Sequence, residues 1–179
     1  MDSLSSASGL RIPPKSSLGS IRVDQCMAVP AAVVWARIAD AGSIAKWFPG
    51  FSNSYMVGDT WERRVVALSG IETSEEIVNV DGPTRRLQYR IRPNFLVKQH
   101  LATVDVIATS QDTCVVTYAT EMEPRALALA ISSGTRDALV ELKRQVELEY
   151  SGTKPVSPRS LDKGSPPQTL PLQNSKEKS

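Results

Sequence analysis

The sequence predicts a domain of the α+β class, with its strands and helices segregated along the chain. Short segments of alternating apolar and polar residues, separated by Gly, Pro and Asp turns, fill residues 51–123. Two short helical stretches precede this run, and one long amphipathic segment follows it. Because strands and helices do not alternate, an antiparallel sheet with helices at its ends is expected rather than a parallel one.

One strand and two short helices are predicted before the main run of strands. Ser20–Val29 alternates weakly and is expected to be the first strand. Pro30 has a fixed φ that suits a first helical turn, and Ala31–Ala39 follows with helical apolar spacing. Asp40–Phe48 predicts a second short helix, which Pro49-Gly50 ends.

Six further strands complete a predicted seven-stranded antiparallel sheet. Within one of them, Leu87, Tyr89 and Ile91 alternate with basic and polar residues, so one face of the sheet should be buried and the other wet. The basic residues of this segment are Arg85, Arg86, Arg90 and Arg92. We expect them to form a solvated strand edge rather than a binding surface for an acidic partner or for lipid headgroups. The six strands are Phe51–Val57, Trp61–Leu68, Ile71–Val80, Arg85–Arg92, Lys98–Thr109 and Cys114–Glu123.

A long C-terminal helix is predicted after Pro124, over Ala126–Tyr150. Its charged residues fall largely outside one apolar stripe, which indicates a helix packed on the sheet. The stripe consists of Ala128, Ile131, Thr135, Ala138, Leu139, Leu142 and Val146.

Composition excludes several classes of protein. The formal net charge is only +2 over 179 residues, which argues against nucleic-acid binding. No apolar run approaches the roughly 20 residues that span a membrane, and residues 1–20 lack the apolar core of a secretory signal. We therefore expect a cytoplasmic protein without a transmembrane segment, as a monomer or weak dimer. Cys26 and Cys114 both lie in apolar contexts and are expected to be buried, reduced thiols.

The two ends of the chain differ in composition from the middle. Residues 151–179 are rich in Pro, Ser and Lys, and residues 1–18 contain Pro13-Pro14 among several serines. Such segments bury too little apolar surface to offset the entropy of ordering them. The sequence predicts a domain over residues 19–150 between a disordered arm and a disordered tail.

An ordered set of short motifs resembles the START-like (SRPBCC) superfamily, which includes the birch-pollen-allergen fold. Within that superfamily the chain is most similar to the polyketide cyclase/dehydrase and lipid-transport group. The motifs are Val29-Pro30-Ala31-Ala32-Val33-Val34-Trp35, Ile38-Ala39-Asp40, Trp47-Phe48-Pro49-Gly50, Gly70 with Glu75, Asp81 with residues 85–91, Ala102-Thr103 and Glu123-Pro124.

The resemblance implies a helix-grip fold, in which the curved sheet and the long helix enclose a cavity. Members act as carriers, receptors or partners of other enzymes, and some are cyclases or isomerases. Strand alternation and the position of the short helices suggest which residues would contact a ligand in that cavity. They are Trp47, Phe51, Tyr89, His100, Val104, Val116, Tyr118, Thr120 and Met122.

His100 and an Arg–Glu pair are the candidate reactive groups. His100 is the only histidine and should face inward, as an acid/base, as a polar anchor, or as a hydrogen-bonded core side chain. A two-residue turn at Ser69-Gly70 would place Arg64 opposite Glu75, whereas a three-residue loop with a bulge would place Arg63 there. The resemblance adds that plant relatives similar to lachrymatory-factor synthase use an Arg and a Glu on these strands.

The face on which the Arg–Glu pair lies decides what it could do. In the cavity, desolvation would suit the pair for proton transfer. On the surface it would be a salt bridge worth at most about 1 kcal/mol. Alternation on these strands does not settle the face, and we favour a structural pair.

Binding of a small hydrophobic or amphipathic ligand is the leading functional hypothesis. A lipid, a polyketide or an isoprenoid would suit a cavity with few ionisable residues. The alternative is a cofactor-independent cyclase, dehydratase or isomerase that uses Arg63 or Arg64 with Glu75 and His100. No glycine-rich phosphate loop, Cys/His metal set or nucleophile elbow is found, so neither a cofactor nor a metal is expected.

Overall fold

The computed structural model describes residues 17–153. Most of the predicted arm and tail therefore lies outside the described residues. The elements are β1 (Gly19–Met27), α1 (Ala31–Ala39), a 3₁₀ helix (Ala41–Lys46), β2 (Phe51–Met56), β3 (Glu62–Ala67), β4 (Glu72–Asp81), β5 (Arg86–Ile91), β6 (Gln99–Ala108), β7 (Cys114–Glu123) and α2 (Arg125–Thr153). Helix α2 extends three residues beyond its predicted end at Tyr150.

The seven strands form one curved antiparallel sheet in the order β1-β7-β6-β5-β4-β3-β2. The first strand pairs with the last, so β1 and β2 are the two edges of the sheet. This arrangement confirms the predicted α+β class and the predicted order of elements.

A single apolar core lies between the concave face of the sheet and α2, which contacts β1 and β7 along its length. The predicted stripe on α2 is confirmed, since Ala138, Leu139 and Leu142 are fully buried. Trp35 on α1 is only partly buried and packs against this core.

Two predictions about the outer surface are wrong. Strand β5 lies in the middle of the sheet, so its basic residues do not form an edge. Two of them form ion pairs across strands on the solvent-exposed face instead. Arg86 lies 2.7 Å from Asp105, and Arg90 lies 3.0 Å from Glu76.

The second wrong prediction concerns one cysteine. Cys114 is buried, but Cys26 is exposed because it lies on the outward face of the edge strand β1. Both are free thiols.

Among residues 17–153, no helix is both long enough and apolar enough to cross a membrane. The same residues contain no group of three His, Cys, Asp or Glu side chains arranged to hold a metal ion.

Candidate functional site

A cavity of about 160 Å³ lies between the concave sheet and the N-terminal half of α2. Most of its wall is apolar, with a carboxyl, an imidazole and several hydroxyl groups among the lining side chains. The lining residues are Phe48, Phe51, Val65, Thr73, Glu75, Tyr89, Ile91, His100, Tyr118, Thr120, Met122, Ile131 and Thr135.

The cavity brings together six of the nine side chains for which ligand contact was predicted: Phe51, Tyr89, His100, Tyr118, Thr120 and Met122. The other three, Trp47, Val104 and Val116, are buried in the core and do not line it. Leu139, Leu142 and Val146 of α2 belong to the same core cluster. The sequence predicts which face of each of these strands points inward, but it does not predict how deep the cavity extends.

Several lining residues were missed by sequence reasoning. Thr73 shares the face of Glu75 by simple alternation, and Ile131 and Thr135 belong to the helix stripe that the sequence shows. Those two signals could have placed them in the site. Nothing in the sequence distinguishes Val65 or Ile91 from ordinary core residues.

Arg63 and Glu75 form a buried ion pair opposite one another on β3 and β4. The hairpin loop spans Leu68–Gly70, with Gly70 at φ +84°, so the three-residue alternative holds. The Arg63 Nε and Nη2 groups donate to Glu75 Oε2 at 2.8 and 2.5 Å, and Nη1 donates to the Ala41 carbonyl at 2.7 Å.

The guanidinium of Arg63 lies behind the carboxyl, away from the cavity. It sits 4.4 Å from the centre of the Tyr89 ring, in cation–π geometry, and its side chain is 0% exposed. Arg63 does not line the cavity, whereas Glu75 does. Arg63 therefore positions the carboxyl and does not meet a ligand.

Glu75 presents one free carboxylate oxygen. Both bonds from Arg63 go to Oε2, and Oε1 accepts no hydrogen bond from any residue of the described chain. Burial raises the pKa of the Glu75 carboxyl, although the adjacent Arg63 guanidinium lowers it in part. The group is thus a proton acceptor that is stronger than an ordinary glutamate.

Arg64, the other arginine considered for the pair, lies on the opposite face of β3. It is about one-third exposed and bonds to Glu62 and Glu72, at 2.8 and 3.2 Å. Alternation along the strand separates it from Glu75, and it does not line the cavity.

His100 is held in one orientation where two strands separate. Pairing between β5 and β6 ends at Tyr89–Ala102, and the Ile91 backbone N–H donates instead to His100 Nδ1 at 3.0 Å. Burial, with a smaller contribution from the Arg63 charge, lowers the pKa of His100 to about 4. The neutral imidazole therefore carries its proton on Nε2, which leaves one N–H donor for a ligand.

Tyr89 and Tyr118 are hydrogen-bonded to each other through their hydroxyl groups. Burial raises the pKa of Tyr89 well above its ordinary value and that of Tyr118 to about 12, so both stay protonated. The site thus combines one basic carboxylate oxygen with one neutral N–H donor inside an apolar wall. Such a set can orient a small polar group and accept a proton from it.

Residues 20–147 match the family described as polyketide cyclase/dehydrase and lipid transport. The match covers more than half of the chain, and the protein belongs to this family. A comparison with curated proteins found no match.

Solved structures share the fold at low sequence identity. XoxI from Bacillus cereus is 21% identical, with a TM-score of 0.67 over 73% of this chain and 98% of that one. A point mutant of norcoclaurine synthase from Thalictrum flavum is 21% identical, with a TM-score of 0.62 over 75% and 96%. The Zhui aromatase/cyclase from Streptomyces sp. R1128 is 12% identical, with a TM-score of 0.63 over 74% and 96%. At these identities the similarity establishes the helix-grip fold alone.

Proposed function

We propose that the protein binds a small, mostly apolar molecule in the cavity beneath α2. The observation that carries this proposal is the cavity wall, which is largely apolar but contains Glu75 and His100. A few placed polar groups in an apolar pocket are the usual composition of a small-molecule site. Membership of the polyketide cyclase/dehydrase and lipid-transport family supports it.

Native mass spectrometry of the freshly purified protein tests the binding function. We expect a mass above that of the chain, which returns to the chain mass when the protein is denatured. Ile131→Trp should fill the cavity and remove the extra mass. Leu129→Trp is the matched control, because Leu129 is 59% exposed on the same helix and does not line the cavity. A protein that is always empty would count against binding.

Acid–base catalysis is a second candidate function, favoured by the free Oε1 atom of Glu75. Its carboxylate could take a proton from the carbon next to a ligand carbonyl, breaking that C–H bond. The negative charge then moves to the carbonyl oxygen, to which His100 Nε2–H would donate a hydrogen bond. Glu75 returns the proton either to another carbon, as in an isomerase, or to a departing hydroxyl, which leaves as water.

Proton exchange in D₂O tests the second candidate, with acetophenone as the probe ketone. The wild type should speed the exchange of its methyl protons, as followed by NMR. Glu75→Gln should abolish that acceleration, since an amide cannot take the proton, and acetophenone should still bind. Exchange that is equally fast with Glu75→Gln would rule out this role for Glu75.

A further inference from the structure

We infer that the ligand of this cavity is an uncharged hydroxyl or carbonyl compound about the size of a single six-membered ring. This inference rests on the proposed binding function and narrows its ligand class. It combines three observations: the volume of the cavity, the charges on its wall, and the polar atoms that remain free.

The volume sets the size. About 160 Å³ is close to the roughly 150 Å³ of apolar cavity that holds a benzene molecule. Pockets for larger organic ligands occupy roughly 300–1,000 Å³. Phe48 and Phe51 stack at 4.5 Å on one side of the space, and Phe48 also lies against Gly134 of α2. A long acyl or polyketide chain would have to displace these rings.

The wall is unfavourable for anions. No Lys or Arg side chain is among the described lining residues. Arg63, the cation paired with Glu75, is fully buried and already donates to Glu75 and to the Ala41 carbonyl. A ligand carboxylate would lose its hydration and meet the carboxyl group of Glu75 without a free cation to compensate.

The charged groups at the wall also give no net attraction to cations. The one carboxyl in the lining, Glu75, is paired with Arg63, so the pair has no net charge when both are ionised. His100 stays neutral above about pH 4, since its pKa is lowered to about that value. An ammonium group would therefore be desolvated without gaining an uncompensated anion.

The free polar atoms set the functional group. His100 Nε2–H needs an acceptor, because Nδ1 is already bonded to the Ile91 N–H. Oε1 of Glu75 has no donor within the described chain, and a ligand hydroxyl would supply one. A hydroxyl group offers both the acceptor that His100 needs and the donor that Oε1 lacks, whereas a carbonyl oxygen offers the acceptor alone.

Four probes test charge and size separately at pH 7 by isothermal titration calorimetry. Benzyl alcohol, benzoate and benzylamine share one ring and a one-carbon side group but are neutral, anionic and cationic. We expect benzyl alcohol to bind at least roughly tenfold more tightly than either ion, since each ion must be desolvated. The two-ring alcohol 2-naphthylmethanol should bind more weakly than benzyl alcohol.

The variants locate the binding. Ile131→Trp should abolish benzyl alcohol binding, and Leu129→Trp should leave it unchanged. Benzoate or benzylamine binding as tightly as the alcohol would overturn the inference about charge. An equally tight 2-naphthylmethanol would overturn the inference about size. If none of the four probes binds while native mass spectrometry still shows the extra mass, this inference fails and the proposed binding function stands. If none binds and the protein is also always empty, both fail.

Discussion

In the buried pair of Arg63 and Glu75, one side chain is structural and its partner faces the cavity. Arg63 is hydrogen-bonded to Glu75 and to the Ala41 carbonyl and lies over the face of the Tyr89 ring, and its own side chain does not line the cavity. A buried ion loses its hydration, and only its partners compensate for that loss. The pair therefore fixes the position of the Glu75 carboxyl. Replacing either residue alone would leave the other charge buried without its partner.

Replacing Arg63 by methionine should lower the free energy of unfolding by about 3–5 kcal/mol, because Glu75 is then left buried without its cation. The double variant Arg63→Met/Glu75→Met should lose less than Arg63→Met alone. Urea denaturation at pH 7 measures both. Arg64→Met is the control, since its ion pairs are partly exposed and should cost no more than about 1 kcal/mol. Equal losses of unfolding free energy for Arg63→Met and Arg64→Met would contradict the assignment of Arg63 to a buried pair.

His100 should make the fold sensitive to acid. Its pKa is lowered to about 4 in the folded protein, whereas the unfolded value is near 6.5. As the pH falls through this range, the unfolded chain binds the proton first, so the free energy of unfolding decreases by up to roughly 3 kcal/mol. Glu75 has a raised pKa and acts in the opposite direction, because the folded state takes up its proton first.

The comparison of wild type with His100→Gln isolates the histidine, because Glu75 and the other carboxyl groups are present in both proteins. Urea denaturation at pH 7 and pH 4.5 should show a larger loss of stability for the wild type. If both proteins lost the same free energy of unfolding between pH 7 and pH 4.5, this would contradict a buried, neutral His100.

At the scale of elements, alternation predicted the strands well, and it is clearest in β5 and β6, where buried residues alternate with more exposed ones. It could not fix the register of the β3–β4 hairpin, since Ser69-Gly70 fits both a two-residue and a three-residue loop. The hydrogen bond from the Ala67 N–H to the Ile71 carbonyl closes a three-residue loop, and the resulting register places Arg63 rather than Arg64 opposite Glu75. The extent of the cavity could not be predicted from the sequence either, because it depends on where α2 crosses the sheet.

The start of α2 packs closely against β1 at Gly19. A Cβ atom added at Gly19 would lie 2.8 Å from Ala128 Cβ and 3.0 Å from the Arg125 backbone. Gly19→Ala should therefore lower the free energy of unfolding by about 1–3 kcal/mol through overpacking. Thermal and urea denaturation measure the change.

Gly82→Ala is the matched control for Gly19→Ala. Nothing lies within 4 Å of the Cβ position at Gly82, and its backbone is not in the left-handed region. This variant should be neutral or slightly stabilising, because alanine restricts the unfolded chain. A Gly19→Ala protein as stable as the Gly82→Ala protein would contradict the close packing of β1 and α2.

At the scale of the molecule, the pairing of β1 with β7 joins the beginning of the domain to its end. The core cluster runs from Met27 to Val146, and every strand of the sheet lies within residues 17–153. The family match covers residues 20–147 of the same region. One hydrophobic core of this kind should unfold in a single cooperative step.

A chain of residues 17–153 should consequently fold without the remaining sequence. We expect its melting temperature to lie within about 2 °C of that of the full chain, since a change of 1 kcal/mol would shift it by roughly 2–4 °C. A chain of residues 17–140 is the control, because it lacks the fully buried Leu142 and Val146 and should show no cooperative transition. Scanning calorimetry of the three chains compares them directly. A 17–153 chain that melts far below the full chain would show that the domain needs residues outside these bounds.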